Sequence, residues 1–374
     1  MSENVLVTGG AGFIGRAVCD ELLRRGNRVR VLDSLIEQVH GYGRPEALSS
    51  EVELVVADIR DGDAVAEALD GIDSVIHLAA EVGVGQSMYE VERYTSTNDV
   101  GTAVLFERLI AKNRRRPVRR VVTASSMSIY GEGLYRDADG ALVEDAARTA
   151  LRDGQANWEP LDTQGRPLNP VATPEWKRPS LSSIYALNKY VQEQTTHIMG
   201  APYGMESVCL RLFNVYGPGQ ALSNPYTGVL AIFASRLLNG QPPMIFEDGE
   251  QRRDFVHVRD VARAFADALV LPEAAGGTFN VGSGQDRSVR QVAEELARAM
   301  GKNSIEAEIV GKARTGDIRH CFCDTGLARE KLGFEAREDF GARLADLAEW
   351  VAGQTAEDRV SHARSELEER GLVA

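Results

Sequence analysis

The stretch Val5-Leu-Val-Thr-Gly9-Gly-Ala-Gly12-Phe13-Ile14-Gly15 decides the fold, because it carries an apolar strand into a helix through glycines at fixed three-residue spacing. The three glycines have distinct roles. Gly9 permits the tight turn, Gly12 lets backbone approach phosphates, and Gly15 lets the helix lie close to the strand. The helix N-terminus adds free N–H donors and the positive end of its dipole, so the turn, with Phe13 and Ile14, is suited to a pyrophosphate. An amphipathic helix follows over roughly residues 12–25, with Phe13, Val18, Leu22 and Leu23 at helical spacing, and a second strand over 27–32 ends at Asp33. Asp33 stands 18 positions beyond Gly15, where a carboxylate accepts hydrogen bonds from both hydroxyls of an adenosine ribose and repels a 2′-phosphate. No Arg follows in Ser34, Leu35 or Ile36, which favours NAD over NADP.

Apolar strands continue to alternate with helical stretches, at Glu53 to Val56, Ser74 to Leu78, Arg120 to Ala124, Glu206 to Leu212 and Gly277 to Val281. This rhythm predicts an α/β fold, a doubly wound parallel (Rossmann) sheet with a smaller α/β substrate-binding lobe. The expected division is an NAD-binding domain over 1–213, with an insert at about 132–182 and returning elements at about 254–283. Residues 214–253 and 284–350 make the lobe, and 351–374 a charged, helix-prone tail of little functional content. Between Tyr130 and Tyr185 lie 54 residues with five prolines and two tryptophans, Trp158 and Trp176. A loop so long is a lid or an interaction surface when it is ordered, and the tryptophans favour order.

A net charge of −13 over 374 residues argues against nucleic-acid and anionic-membrane partners. The cluster Arg114-Arg115-Arg116-Pro-Val-Arg119-Arg120 reads as a solvated turn before a strand. No apolar run approaches the ~20 residues that span a bilayer, and the first strand begins almost at Met1, so the expected location is the cytoplasm. Cysteines at 19, 209, 321 and 323 are too scattered for a disulfide framework, and Cys321-Phe-Cys323 lacks partner ligands, so no metal site is expected.

Two further motifs supply chemistry. Ala124-Ser125-Ser126-Met127-Ser128-Ile129-Tyr130-Gly131 follows the fifth strand and projects hydroxyls from the carboxyl edge of the sheet. Tyr185-Ala-Leu-Asn-Lys189 places an ammonium one helical turn from a phenol. A cation at ~6 Å and effective dielectric ~20 offers roughly 2–3 kcal/mol, about two pKa units, toward making that phenol a base. With the glycine turn and Asp33, this set resembles the extended short-chain dehydrogenase/reductases, in their nucleotide-sugar epimerase and dehydratase branch, over residues 5 to about 350. Matching pieces include Asp58-Ile59 at the adenine, His77-Leu78-Ala79-Ala80 after the fourth strand, Asn98 with Gly101-Thr102, and Arg211-Leu-Phe-Asn214-Val-Tyr216-Gly-Pro218.

The resemblance implies Ser126 as hydrogen-bond partner of the reacting sugar hydroxyl, Tyr185 as base and Lys189 as holder of the nicotinamide ribose, with Ser128 nearby on the substrate. It implies Asn214, Arg253, Arg314 and Asp317 as contacts to the diphosphate and nucleoside, with Met244 to Phe246 flanking the base. His77 reads as a structural strand-end residue, and Asn98 either touches cofactor or stitches helix to strand. Similar 4,6-dehydratases carry Asp-Glu where this chain has Met127 and Ser128, and similar decarboxylases carry Glu at the place of Ser128. That leaves redox-neutral 4-epimerisation through a transient 4-keto sugar. Val82 to Tyr89, with Gly83 and Gly85 giving a roomy pocket, Tyr130 to Tyr135, Gln220 to Gly228 and the insert are similar to epimerases acting on dTDP-L-rhamnose; UDP-glucose or UDP-glucuronate is the alternative substrate. Proteins that keep this fold only to sense NAD(H) typically lose the Tyr-Lys pair. The resemblance also implies a homodimer, built on helices at about 87–112 and 183–199.

Overall fold

The computed structural model describes residues 2–40, 47–113, 117–148, 158–224, 226, 228–314, 316–354 and 360–373, the first five of the last segment as backbone only. Seven strands build the central sheet: β1 (Asn4–Thr8), β2 (Arg28–Asp33), β3 (Glu53–Val56), β4 (Ser74–His77), β5 (Arg120–Ser126), β6 (Glu206–Leu212) and β7 (Thr278–Val281). They match the seven expected segments to within about two residues at each end. All pair in parallel, in the order β7-β6-β5-β4-β1-β2-β3. Every residue of β4 and β5 is buried, as strands covered on both faces must be, and apart from His77 and Arg120 at their ends they are made of small and apolar residues. The order reverses between β1 and β4, and ligands of open parallel sheets bind in the crevice beyond the carboxyl ends at such a point.

Five helices frame that crevice and its surroundings: α1 (Phe13–Arg24), α2 (Gly101–Asn113), α3 (Ile184–Gly200), α4 (Val258–Val270) and α5 (Val360–Glu369). Alternation along β1 sends Val5 and Val7 to one face, where they join Val18 and Leu22 of α1 and Val261, Phe265 and Leu269 of α4. It sends Leu6 to the other, against Leu105, Phe106 and Leu109 of α2. A second core gathers Leu230, Phe233, Leu237, Phe255, Val292, Leu296, Phe340, Leu344 and Leu347. Beside it lies a small mixed sheet in which Arg252–His257 pairs with Asn214–Tyr216, Asp286–Ser288 and His320–Cys321. Residues 254–257 were expected with the large sheet. Their backbone is instead paired in the small one, Phe255 enters its core, and the chain rejoins the large layer at α4.

Among the described residues of 132–182 are three short antiparallel strands, Leu134–Arg136, Leu142–Val143 and Asn169–Val171, laid against the smaller lobe. Gly133 N donates to His320 O and Thr173 N to Phe322 O, each at 2.8 Å. Charges bury themselves at this seam. Arg319, only 1 % exposed, donates to Glu159 at 2.6 and 2.9 Å, to Asp248 at 2.6 and 3.0 Å and to Glu247 at 3.0 Å. Arg148 reaches Glu247 at 2.5 Å and Glu132 at 3.1 Å. Each buried charge therefore has several counter-charges, without which its desolvation would be prohibitive. Arg114 to Arg116 lie outside the described residues; Arg119 pairs with Glu3, and Arg120, buried, with Glu206. All four cysteines are buried and free. Among the described residues no helix is long and apolar enough to cross a membrane.

Candidate active site

The turn between β1 and α1 is shaped by its glycines as the sequence requires. Gly9 has φ of 68°, and a Cβ there would fall 2.7 Å from Ala79 N; a Cβ on Gly15 would fall 2.4 Å from Gly9 O. No side chain fits at either place, so backbone alone faces the crevice. Gly10, which sequence reasoning passed over, is equally constrained, because its Cβ would meet Val31 Cγ2 at 2.5 Å. Asp33, 8 % exposed at the tip of β2, accepts from Ala11 N at 3.0 Å and Leu35 N at 2.9 Å, and His40 Nε2 lies 3.5 Å away. These bonds fix the carboxylate beside the glycine turn and leave lone pairs for a ribose.

One cavity of about 1090 Å³ runs from this turn to the smaller lobe; Gly9, Gly12, Phe13, Ile14, Gly15, Asp33, Asp58, Ile59, Leu78, Ala79 and Ala80 line its first half. Asp58 is tied to Arg60 at 2.5 Å. Asn98 is the exception among the expected cofactor contacts. It is fully buried outside the cavity lining, accepts from Glu81 N at 2.7 Å and donates to Glu81 O at 3.1 Å. Both ends of its amide are therefore used in pinning the segment that carries Leu78 to Glu81, and it supports the wall from behind.

Ser126, Ser128, Tyr185 and Lys189 meet at the middle of the cavity. Ser126 ends β5, and its Oγ accepts from Ser128 N at 3.1 Å and from Ser128 Oγ at 2.9 Å, while its side chain favours the Tyr185 phenolate. Tyr185 sits in the first turn of α3, which Ser183 caps by accepting from Ala186 N, and Tyr185 N donates to Ser87 Oγ at 3.1 Å. Burial pushes the phenol up to about 12, partly offset by the Ser126 bond. Burial likewise pulls the Lys189 ammonium down to about 8. The expectation that Lys189 and oxidised nicotinamide together make Tyr185 a base concerns the NAD-bound site; in the chain by itself burial holds the phenol above its usual value.

Lys189 donates to Gln192 Oε1 at 2.8 Å, and Gln192 Nε2 donates to Thr102 Oγ1 at 2.9 Å. His77 completes this cluster, with Nδ1 at 2.7 Å from Thr8 Oγ1 and Nε2 at 2.9 Å from Thr102 Oγ1. Burial and the nearby Lys189 hold its imidazole down to about 3, so it is neutral, the structural strand-end residue expected. Sequence reasoning missed Gln192, although its place three residues after Lys189 puts it on the same helix face.

At the far end, Asn214, Arg253, Arg314 and Asp317 all line the cavity. Asn214 Oδ1 is buried without a hydrogen-bond partner, an acceptor left open to a ligand. Arg314 lies over the Phe246 ring at 4.5 Å and donates to Asp317 at 2.9 Å. Arg253, by contrast, gives its Nη atoms to the carbonyls of Arg252, Ile318 and Arg319, which restricts how it can also fork onto a diphosphate. Gly83 and Gly85 both line the cavity; a Cβ at Gly83 would meet Tyr94 Oη at 2.9 Å and Tyr226 Cβ at 3.1 Å, and one at Gly85 would make ordinary contact with Leu367 at 3.7 Å. Leu367 and Leu372 of the tail line the cavity, whereas no described residue of 132–182 does, and Trp176 is 58 % exposed. Of the two roles open to the insert, packing on the lobe is the one its contacts fit.

The sequence model of the NAD dependent epimerase/dehydratase family matches residues 5–149 and 165–282. The chain belongs to this family. It is 35 % identical to a dTDP-L-rhamnose 4-epimerase of Burkholderia thailandensis over 94 % of its own length and 95 % of the relative's. Among solved structures it resembles UDP-glucose 4-epimerase of Thermus thermophilus in complex with NAD, with 29 % identity, a TM-score of 0.73 and 94 % and 100 % of the two chains covered. The UDP-glucose 4-epimerase of Thermotoga maritima with UDP-glucose gives 30 %, 0.74, and 93 % and 98 %. These three are named as 4-epimerases of nucleotide sugars.

Proposed function

We propose that this protein is an NAD-dependent nucleotide-sugar 4-epimerase whose substrate is dTDP-L-rhamnose or a closely related dTDP-hexose. The observation that carries the reading is the gathering of Ser128, Ser126, Tyr185 and Lys189 in one cavity, with Met127 and Ser128 where an eliminating enzyme needs carboxyl groups. NAD, when bound, supplies a reversible hydride acceptor for C4 of the sugar. The close turn through Gly9, Gly12 and Gly15 would bring its diphosphate to the N-terminus of α1, and Asp33 would accept from its ribose. Tyr185 takes the proton of the C4 hydroxyl, Ser126 holds that oxygen, and Lys189, anchored by Gln192, stabilises the phenolate. Arg314, stacked on Phe246, and Asn214 hold the nucleotide end while the keto sugar turns over.

Incubation of the purified protein with dTDP-, UDP- and GDP-sugars, read by NMR for inversion at C4, tests the reading. Inversion of dTDP-L-rhamnose without net change in NAD supports it, inversion of UDP-glucose or UDP-glucuronate alone replaces the substrate, and net loss of water or carbon dioxide refutes the reaction. A cytoplasmic homodimer is part of the same proposal. Val91 and Val100 before α2, and Leu187 and Ile198 on α3, are 45, 50, 42 and 64 % exposed, an apolar face that association would cover. A monomer at micromolar concentration in light scattering would refute that part.

A further inference from the structure

The C-terminal segment, which composition alone marks as uninformative, crosses the substrate half of the cavity. On α5, Leu367 is 5 % exposed and packs at Gly85. Glu366 accepts from Tyr226 Oη at 2.8 Å and Tyr89 Oη at 3.3 Å, and those two hydroxyls lie 2.5 Å apart. The Arg370 guanidinium sits 4.3 Å from the centre of the Tyr89 ring. Further along, Lys312 pairs with Glu368 at 3.3 Å, and Val373 forms an antiparallel bridge with Arg314. The segment therefore runs from Gly85, two residues before the Ser87 hydroxyl that holds Tyr185 N, to Arg314 at the nucleotide end.

We propose that Leu367 and Leu372 form a sugar-facing apolar wall that selects a hexose carrying a methyl group at C6 over one carrying a hydroxyl or carboxylate. This rests on the epimerase reading above. Leu367 and Leu372 line the cavity together with Val82, Val84 and Met88, so the wall is apolar on both sides of the mouth. Glu366, next to Leu367 in the chain, is already bonded by the Tyr226 and Tyr89 hydroxyls, which bond to each other. A C6 hydroxyl pressed there would lose water without gaining a partner, and a C6 carboxylate would also meet the charge of Glu366. A 4-epimerase must hold the sugar with either face toward its base. A fixed polar contact to C6 serves one of those poses, whereas an apolar wall serves both.

The test uses a Leu367→Asn/Leu372→Asn double variant, a chain ending at Gln354, and a Leu367→Met/Leu372→Met control. Substrates are dTDP-L-rhamnose and dTDP-L-mannose, which differ only in the C6 hydroxyl. The native protein should favour the 6-deoxy sugar by roughly 10²-fold in kcat/KM, about the limit for an apolar pocket rejecting one hydroxyl. The Asn variant and the shortened chain should each lower that ratio about tenfold with bound NAD unchanged, and the Met control should keep it. An unchanged ratio in the Asn variant overturns the proposal. If the dTDP pair is inert and UDP-glucose is inverted, the substrate reading has failed. The wall is then judged on UDP-6-deoxyglucose against UDP-glucose, where an unchanged ratio overturns it in the same way.

Discussion

Lys189→Met should change the pH dependence of the reaction, not only its rate. Burial holds the Tyr185 phenol at about 12, and Ser126 is the neighbour that lowers it. Near neutral pH a phenol of that strength is ionised to only about one part in 10⁵, so any cation close to it matters. The Lys189 ammonium, one helical turn away at ~6 Å, contributes about 2–3 kcal/mol at an effective dielectric of ~20, or about two pKa units. Removing a cation raises the pKa of a neighbouring acid, because the anion loses its stabiliser and the neutral form does not. The ratio kcat/KM should therefore fall by about 10²-fold near neutral pH, and in the variant it should keep rising with pH across the assayed range. Lys189 is itself pulled down to about 8, so the native profile should also fall on its alkaline side, a limb that the variant lacks. Because the two groups titrate as a coupled pair, both limbs belong to the pair. Initial rates from about pH 6 to about pH 10 at saturating NAD and at sugar-nucleotide concentrations spanning KM, with NAD affinity measured separately, decide the matter. A uniform loss at every pH with both limbs in place would refute the electrostatic role and leave Lys189 as a ribose anchor.

Tyr185→Phe should lower turnover by at least ~10²-fold while bound NAD and the melting temperature stay unchanged; near-native turnover would remove it from the mechanism. Arg314→Ala should raise KM for the sugar nucleotide without altering NAD affinity, since its partners are Phe246 and Asp317 at the far end of the cavity. Arg253→Ala should raise KM and also lower the melting temperature, because the carbonyls of residues 252, 318 and 319 lose a donor at about 1–3 kcal/mol for each buried group; unchanged stability would contradict these bonds. Arg319→Met should cost about 3–5 kcal/mol in urea unfolding by stranding Glu159, Glu247 and Asp248, and a loss below about 1 kcal/mol would show the seam to be energetically idle.

The seven strands of the central sheet, the glycine turn, Asp33 and the Tyr185–Lys189 pair were legible in the chain because each is a local pattern. Strand burial imposes apolar runs, a turn that admits no Cβ imposes glycine at 9 and 15, and a helix fixes which residues share a face. The family resemblance then added Ser126 and the residues at the nucleotide end, which no local rule would have joined. Other features depend on long-range packing and left no such mark. The shift of Tyr185 to about 12 comes from everything that buries it, so the sign of the net effect could not be read from one lysine four positions away. Asn98 and Arg253 carry the right residue types, but whether they face a ligand or the backbone of residue 81 or 319 is settled only by the fold. The insert and the tail show the same division most plainly. Prolines and tryptophans left the insert readable either as a lid or as an excursion packed on the lobe, and its Glu159 and Arg148 are bound into the seam with the smaller lobe. The tail, polar and helix-prone in sequence, is brought by Tyr89, Tyr226, Lys312 and Arg314 to the cavity mouth, where Leu367 finds the space left by Gly85. Sequence periodicity determines which element a residue builds; what that element covers depends on contacts hundreds of residues apart, and those exist only once the chain is folded.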